Sequence, residues 1–350
     1  MIVRTETIDE RIRAQMDRMQ PDKIVVVVSH TSEKLCLPKL EIHKKLDNII
    51  YIVPDGDRAK SLTYCEDFWE TMLRENVTRR SLVLAVGGGA VLDFTGFCAS
   101  TFMRGIPFIY VPTTLLSMVD GSQGGKTGIN LYGTKNIIGT FTEPLAVMRN
   151  IDFLPTLDSK QIHSGWAEII KHAILEGKDL YHIVQNGIPD LSDTETWMDI
   201  IRKNIILKSS IVEEDFREAH KRKLLNLGHT IGHGIEALRF EDEDVTHGLC
   251  IANGLYWETL LAEELGVCNS KTTQNVSALV YPLFFKIQWS KSEVQPMLQL
   301  LLHDKKNHEG KIQFSFTKEI GNCTYDYEVS PERLLEFLEK HAIADQVNED

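Results

Sequence analysis

Two histidines, His229 and His233, stand four residues apart in a segment of helical period. At this spacing both imidazoles project from one face of a helix, one turn apart. Zinc-type metals favour that arrangement, and a third histidine such as His247 would complete much of a catalytic ligand set. The alternative is a pair of half-buried helix histidines that bond to the backbone. The spacing alone leaves both interpretations open.

A glycine-rich turn, residues 87–89, ends an apolar run and precedes a segment of helical period that carries Asp93 in its first turn. Glycines let backbone N–H groups approach a phosphate, and a helix N-terminus adds a favourable partial charge. The turn is not a G-x-G-x-x-G pattern, so it indicates either a nucleotide site or a tight connection. Asp57 and Lys60 follow the preceding apolar run and lie at the same predicted sheet edge, where an ordinary solvated turn is the alternative.

The run from Pro112 to Asn136 contains five glycines and the lysines Lys126 and Lys135. We interpret it as a loop, and a loop so rich in glycine is expensive in backbone entropy, which favours a binding role. Two lysines among oriented amides suit a phosphate or a polyhydroxylated anion.

Glu168 and Lys171 stand three apart in a predicted helix. An exposed ion pair is the ordinary interpretation, but the apolar neighbours of Glu168 indicate burial, and a buried carboxylate needs a metal or a cation. Lys208 and Arg222 fit solvated helix positions, and the pair Lys305 and Lys306 fits a charged loop.

The composition favours a soluble globular protein. The chain has 350 residues, 43% of them hydrophobic, and 38 Lys plus Arg against 50 Asp plus Glu give a formal charge of -12. That balance argues against nucleic acid or an anionic membrane as the main partner, but not against a small anionic substrate. Six scattered cysteines, no signal-peptide pattern and no long apolar run predict a cytoplasmic protein with reduced thiols.

The first half of the chain alternates short β-branched runs with segments of helical period. Strands are predicted at residues 24–28, 49–53, 82–86 and 108–111, and helices at 61–74 and 90–103. This alternation predicts a parallel sheet with helices on its faces, whose ligands bind at the carboxyl ends of the strands.

The second half is dominated by helical patterns. Helices are predicted at residues 159–176, 194–214, 222–238, 248–265 and 294–302, followed by a β-hairpin of residues 312–316 and 324–327. The period changes near Pro155, which predicts an α/β nucleotide-binding domain of residues 1–154 and a mostly helical domain of residues 155–350.

Together these stretches resemble the 3-dehydroquinate synthases, NAD- and metal-dependent cyclases of the shikimate pathway. The resemblance runs from about residue 54 to 309 with its motifs in unbroken order: PDGDRAKS, VGGGAVLDFTGFCASTFMRG, VPTTLLSMVDGSQGGKTGINLYGTKNIIG, GWAEIIKHAI, LLNLGHTIGHGIEA, THG and DKKNHEGKI. It implies a fold of an N-terminal NAD-binding α/β domain with a parallel sheet and a C-terminal, mostly α-helical metal-binding domain.

The resemblance also implies roles for individual residues. The implied ligands of a divalent metal, zinc or cobalt, are Glu168, His229 and His247. The implied NAD-binding residues are Asp57, Lys60, Gly88, Gly89, Asp93, Thr113, Thr114, Lys135 and Thr156. The implied substrate-binding and catalytic residues are Asp120, Lys126, Asn136, Lys171, Lys208, Arg222, Asn226, His233 and one of Lys305 and Lys306. Arg104 matches an arginine that reaches the phosphate bound by a neighbouring subunit, which implies a homodimer.

The implied reaction converts 3-deoxy-D-arabino-heptulosonate 7-phosphate to 3-dehydroquinate and phosphate, with NAD regenerated in each turnover. His229 is then a metal ligand, while His233 faces the substrate phosphate. The chain departs from the family pattern at Asp57, at residues 29–31, at residues 121–123 and at Leu249. Asp57 and residues 29–31 correspond to implied NAD contacts, and none of the departures removes an implied metal ligand.

Three other functions stay open. The first is another sugar-phosphate cyclase that makes an inosose or a valiolone, although residues 124–128 keep the dehydroquinate form of the Gly-Gly-Lys-Thr-Gly loop. The second is a metal-dependent polyol dehydrogenase, which would have no use for the lysines and Arg104 that suit a phosphate. The third is a non-catalytic binding protein.

Overall fold

The computed structural model describes residues 2–3, 5–41, 48–240, 242, 244–302 and 311–345. The chain forms two compact units, one of Met1–Ile162 with Pro189–Ser209 and the other of His163–Ile188 with Ser210–Asp350. The division at residues 154 and 155 stays a prediction. None of the helices in the described part of the chain combines the length and apolar character needed to cross a membrane.

The first unit contains a five-stranded parallel sheet. The strands of this unit are β1 (Ile2–Val3), β2 (Ile24–Ser29), β3 (Ile49–Val53), β4 (Leu82–Gly87), β5 (Phe108–Pro112), β6 (Lys126–Leu131), β7 (Thr134–Phe141), β8 (Ala146–Val147) and β9 (Arg149–Asn150). The parallel sheet has the order β3-β2-β4-β5-β8. The four predicted strands are confirmed, each within one residue of its predicted bounds. Strands β2, β4 and β5 are buried on both faces, as their unbroken apolar runs predict, whereas the edge strand β3 exposes Ile50 and Ile52.

Helices α1 (Thr5–Met19), α2 (His30–Leu35), α3 (Leu62–Arg74) and α4 (Gly89–Thr101) alternate with these strands. The rings of Tyr51, Phe68 and Phe94 join the sheet to α3 and α4 in one buried cluster. Gly87 and Pro112 are paired neighbours at the ends of β4 and β5, so the segments that follow them start side by side.

The run from Pro112 to Asn136 is not the irregular loop that its composition predicts. It contains a π-helical turn, Ser117–Gly121, and then the antiparallel hairpin of β6 and β7. Gly124 and Gly125 adopt φ values of 88° and 66°, which favour glycine, and a Cβ at Gly128 would lie 2.9 Å from the carbonyl oxygen of Ile138. These glycines therefore have a backbone reason that is independent of ligand binding.

Among the described residues, the remaining α-helices are α5 (Ser159–Glu176), α6 (Asp179–Val184), α7 (Thr194–Glu214), α8 (His229–Leu238), α9 (His247–Glu264), α10 (Ser270–Val280), α11 (Val294–Leu302) and α12 (Pro331–His341). Strands β10 (Ile312–Glu319) and β11 (Asn322–Val329) form the predicted antiparallel hairpin in the second unit, although both strands are longer than predicted.

The predicted helix of residues 222–238 is wrong. The segment forms a 3-10 helix, Lys221–Asn226, and then α8, which begins at His229. The two are separated at Gly228, whose φ of 75° is left-handed. Because an α-helix cannot pass through a residue in that conformation, the break places His229 at the first position of a helix.

Candidate active site

Three candidate metal ligands from three helices meet in the second unit. Glu168 projects from the middle of α5, while His229 and His247 are the first residues of α8 and α9. Their ligand atoms all lie within 4.8 Å of one another. The Nε2 atoms of His229 and His247 lie 3.6 Å and 3.7 Å from Oε1 of Glu168. One carboxylate and two imidazoles form a donor set that suits a zinc-type ion and leaves coordination positions for a substrate.

Lys171 provides the counter-charge for Glu168. The two form an ion pair within α5, and their side chains are only 2% and 1% exposed. The burial that the apolar neighbours of Glu168 predict is therefore confirmed, and the alternative of an ordinary exposed pair is wrong. The positive charge of Lys171 offsets part of the cost of burying the carboxylate of Glu168.

The backbone determines which ring nitrogen of His229 carries the proton. Its Nδ1 lies 3.0 Å from the carbonyl oxygen of Leu227, which can only accept, so Nδ1 carries the hydrogen and Nε2 the lone pair that faces Glu168. Burial lowers the pKa of His229 well below its ordinary value, although Glu168 opposes the shift. A neutral imidazole with Nε2 free to coordinate is the form that metals bind.

His247 contacts a second carboxylate. Its Nδ1 lies 3.2 Å from Oε2 of Glu236. Burial disfavours the charged imidazole, but the nearby carboxylates of Glu168 and Glu236 outweigh it and raise the pKa of His247 to about 10. The two carboxylates thus favour positive charge at this point, and a divalent cation can replace the proton there.

His233 lies beside this cluster but is more exposed. Its ring centroid is 5.2 Å from that of His229 and 6.0 Å from that of His247. His233, Glu236 and His247 also form a second group that could hold a metal ion. Sequence reasoning missed Glu236, although its position three residues after His233 indicates the same helical face.

Arg222 and Asn226 donate hydrogen bonds to groups close to them in the sequence. Arg222 is 3% exposed, and its Nη1 donates to the carbonyl oxygen of Phe216 at 2.6 Å. Nδ2 of Asn226 donates to Glu218 at 2.6 Å. Because Arg222 is buried, its interpretation as a solvated helix residue is wrong. The planar guanidinium is held in a fixed orientation by such contacts.

In the first unit the structure joins several residues implied to bind NAD. Nζ of Lys60 is 2.7 Å from Oδ2 of Asp93 and also donates to Oδ1 of Asn136. Lys60 is 4% exposed, so the interpretation as a solvated turn is wrong for this lysine. Asp57 and Lys135 form a second, more exposed ion pair at 3.4 Å. Asn136, implied to contact substrate, thus shares a lysine with the implied NAD set.

The glycine-rich turn lies against the end of β5. Gly88 is the N-cap of α4, and a Cβ added to it would lie 3.0 Å from the Thr114 side chain. The amide of Thr113 donates to the carbonyl of Gly87 at 2.9 Å. A Cβ added to Gly89 would meet no atom within 4 Å, so open space adjoins the start of α4. The geometry fits an anion held by a helix N-terminus.

Lys208 and Asp120 form a further pair in the first unit. Nζ of Lys208 lies 2.7 Å from Oδ1 of Asp120 and donates to its carbonyl oxygen at 2.8 Å. Lys208 is 5% exposed, so the interpretation as a solvated helix residue is also wrong here. Nearby, Nε2 of Gln123 donates to the Ser209 hydroxyl at 3.1 Å, which ties one of the departures from the family pattern to α7.

The other predicted site residues are less closely connected. The Thr156 hydroxyl donates to the carbonyl of Phe153 at 2.6 Å. Lys126, at the start of β6, and Arg104, at the end of a 3-10 turn after α4, are exposed. Lys305 and Lys306 lie outside the described residues.

Family profiles match most of the chain in two parts. Residues 50–164 match 3-dehydroquinate synthase N-terminal, and residues 165–307 match 3-dehydroquinate synthase C-terminal. The chain belongs to the 3-dehydroquinate synthase family. A 3-dehydroquinate synthase of Pyrococcus furiosus is 39% identical over 329 residues, which cover 93% of this chain and 94% of the relative.

Solved structures share the fold. A 2-deoxy-scyllo-inosose synthase complexed with carbaglucose-6-phosphate, NAD+ and Co2+ superimposes with a TM-score of 0.84 at 22% identity, covering 97% of this chain and 96% of that one. The 2-epi-5-epi-valiolone synthase of Streptomyces hygroscopicus, with NAD+ and Zn2+ bound, gives 0.82 at 20% identity, covering 97% and 95%. The predicted combination of a parallel-sheet domain with a mostly helical domain is confirmed.

Proposed function

We propose that this chain is a 3-dehydroquinate synthase that converts 3-deoxy-D-arabino-heptulosonate 7-phosphate to 3-dehydroquinate and inorganic phosphate. The observation that carries the proposal is the convergence of Glu168, His229 and His247, in a chain of this family, on one point where positive charge is favoured. The motif order and the high coverage of the curated relative support the same activity over a related cyclase. The related cyclases of known structure are less than 25% identical and support only the fold.

Glu168, His229 and His247 would hold the divalent metal. Zinc or cobalt fits, since both ions occur in the solved structures that share this fold. When bound, the metal would polarise a substrate hydroxyl and ease loss of its proton. Lys171 balances the charge of Glu168, and Leu227 holds the Nδ1 proton of His229 away from the coordinating nitrogen.

The first unit would hold NAD. The corresponding domain prediction is an NAD-binding domain of residues 1–154, followed by a metal- and substrate-binding domain of residues 155–350. The N-terminus of α4 and its glycines suit the pyrophosphate. The full proposed set is Asp57, Lys60, Gly88, Gly89, Asp93, Thr113, Thr114, Lys135 and Thr156. When bound, NAD would take a hydride from the substrate and return it later in the same turnover.

Cationic and amide side chains would bind the anionic substrate. Arg222 offers a planar guanidinium that can fork onto the carboxylate. Hydrogen bonds to the phosphate would come from Lys126, Asn136, Lys171, His233 and Arg104. Asp120, Lys208 and Asn226 complete the proposed substrate set. The role of Arg104 requires a homodimer, and we propose that the dimer acts in the cytoplasm.

Phosphate release tests the activity. Purified protein with NAD and the heptulosonate phosphate should release phosphate and form 3-dehydroquinate without net NADH, and a chelator should stop the reaction. H247A should lose bound zinc, whereas H182A, a change at an exposed histidine beside Gln185, should keep it. Net NADH from a simple polyol without phosphate release would contradict the proposal, and turnover of an aldohexose 6-phosphate instead would indicate a related cyclase. Unchanged zinc content in H247A would contradict the ligand assignment.

A further inference from the structure

A buried carboxylate outside the proposed ligand set lies on the helix that carries His247. Glu258 follows His247 by eleven residues on α9, about three helical turns, so both side chains project from the same face. Glu258 is 1% exposed, and the residues around it on the same helix, including Leu255 and Leu261, are buried and apolar. A carboxylate in such a place is costly unless its oxygens accept hydrogen bonds.

Both oxygens of Glu258 accept backbone N–H groups at the start of α8. Oε2 accepts from Gly228 and Oε1 from Ile231, each at 2.8 Å. Gly228 is the N-cap of α8 and has no side chain to satisfy the first N–H groups of the helix. Glu258 therefore supplies, from a neighbouring helix, the cap that the local sequence lacks.

The same contact reaches His229 through one peptide group. The N–H of Gly228 and the carbonyl of Leu227 belong to a single planar unit. The N–H is held by Glu258, and the carbonyl oxygen accepts from Nδ1 of His229 at 3.0 Å. Because the peptide is planar, the bond from Glu258 to the N–H also fixes the direction of the carbonyl. The carbonyl in turn orients the imidazole of His229, whose Nε2 faces Glu168.

A glycine one turn earlier on α9 brings the helices close enough for this contact. A Cβ at Gly254 would lie 1.9 Å from the carbonyl oxygen of Gly228 and 2.8 Å from the amide nitrogen of Gly232. Those atoms are backbone, so only glycine permits the approach. Gly254 and Glu258 stand four apart and share one helical face.

We propose that Glu258 is a positioning residue for the metal site: through the Leu227–Gly228 peptide it fixes the tautomer and orientation of His229. The carboxylate also polarises that peptide, which makes the carbonyl a better acceptor and Nε2 more electron-rich. Glu258 is not one of the proposed metal ligands. The inference rests on the proposed metal role of His229, and its test separates the two.

The test replaces Glu258 by glutamine, which has the same shape but one accepting oxygen for two N–H groups. We expect E258Q to raise the zinc Kd, measured by chelator competition, about 10- to 100-fold. The visible absorption of the cobalt-loaded protein, which depends on ligand geometry, should change as well. E264Q is the matched control, since Glu264 lies on the same helix and pairs with Lys340 and His341.

The outcomes distinguish positioning from simple stabilisation. If E258Q melts at a lower temperature but keeps the wild-type zinc Kd and cobalt spectrum, its role is only structural and the inference is overturned. If H247A also keeps its zinc, then the metal assignment has failed rather than the role of Glu258.

A measurement on the unmodified protein applies even if E258Q does not fold. The sequence contains two Leu–Gly peptides, Leu227–Gly228 and Leu265–Gly266. Labelling with carbonyl-13C leucine and 15N glycine therefore selects two amides by NMR. The Gly228 amide should exchange slowly with solvent and shift on zinc addition, whereas Gly266, whose amide donates to Glu263, should not shift. A Gly228 amide that exchanges fast, or does not respond to zinc, would overturn the inference.

Discussion

Replacing Lys171 by methionine removes one charge from the buried pair with Glu168 and keeps a side chain of similar length. Breaking such a pair typically costs about 3–5 kcal/mol, because the remaining charge is left in a dry environment. In the metal-free protein His247, with a pKa raised to about 10, is protonated at neutral pH and supplies part of the missing counter-charge. We therefore expect K171M to lose about 3 kcal/mol of unfolding free energy, near the lower end of that range.

Zinc changes this result in a specific direction. A divalent ion bound to Glu168 supplies more positive charge than Lys171 does, so the loss in the zinc-saturated protein should fall to about 1 kcal/mol. By linkage, the difference of about 2 kcal/mol means that K171M binds zinc about 30-fold more tightly than the wild type. Lys171 and the metal compete, in effect, for the same carboxylate.

Urea unfolding followed by tryptophan fluorescence, with chelator and with saturating zinc, measures both free energies. K203M is the matched control, because Lys203 pairs with Asp199 at 3.6 Å on a more exposed helix face. Its unfolding free energy should change by less than about 1 kcal/mol, with or without zinc. If metal-free K171M were no less stable than K203M, or if it bound zinc more weakly than the wild type, the reasoning would be refuted.

Two further predictions concern packing and pH. G254A should lose about 1–3 kcal/mol of unfolding free energy and bind zinc more weakly, because its Cβ would lie 1.9 Å from the carbonyl oxygen of Gly228. An unchanged melting temperature and an unchanged zinc Kd would contradict the close approach of α8 and α9. Hydrogen bonds from Arg239 hold the pKa of Glu293 below its ordinary value. This pair therefore contributes its full stability above the unfolded pKa of about 4.3 and loses it as the pH falls through the lower native value. Thermal melts from pH 7 to 3 should show a shallower decline for E293Q than for the wild type, and parallel curves would count against the pair.

Local sequence patterns predicted most helices and strands. Periodicity gave the observed bounds of α5, α7 and α11, because apolar spacing along one helix is a property of neighbouring residues. It failed where a single backbone angle decides. Nothing in the periodicity of residues 222–238 reveals that Gly228 adopts a left-handed φ, and that angle ends one helix and starts another.

The glycine-rich run shows a different limit. Glycine serves a phosphate-binding loop and a tight hairpin for the same reason, its conformational freedom, so composition alone cannot separate the two. The hairpin of β6 and β7 became evident only from the pairing of the strands, in which Gly128 has no room for a side chain.

The sequence by itself determined the types and order of the site residues. His229, His247 and Glu168 were identified by spacing and motif resemblance, since a ligand's chemistry resides in its side chain. Only the tertiary structure decided which charges are buried and what holds them. Lys208 and Arg222 fit solvated helix positions in the sequence yet are almost fully buried. The contacts of Glu236 with His247 and of Glu258 with Gly228 join residues 11 and 30 apart in the chain, and such contacts form only when separate helices pack together.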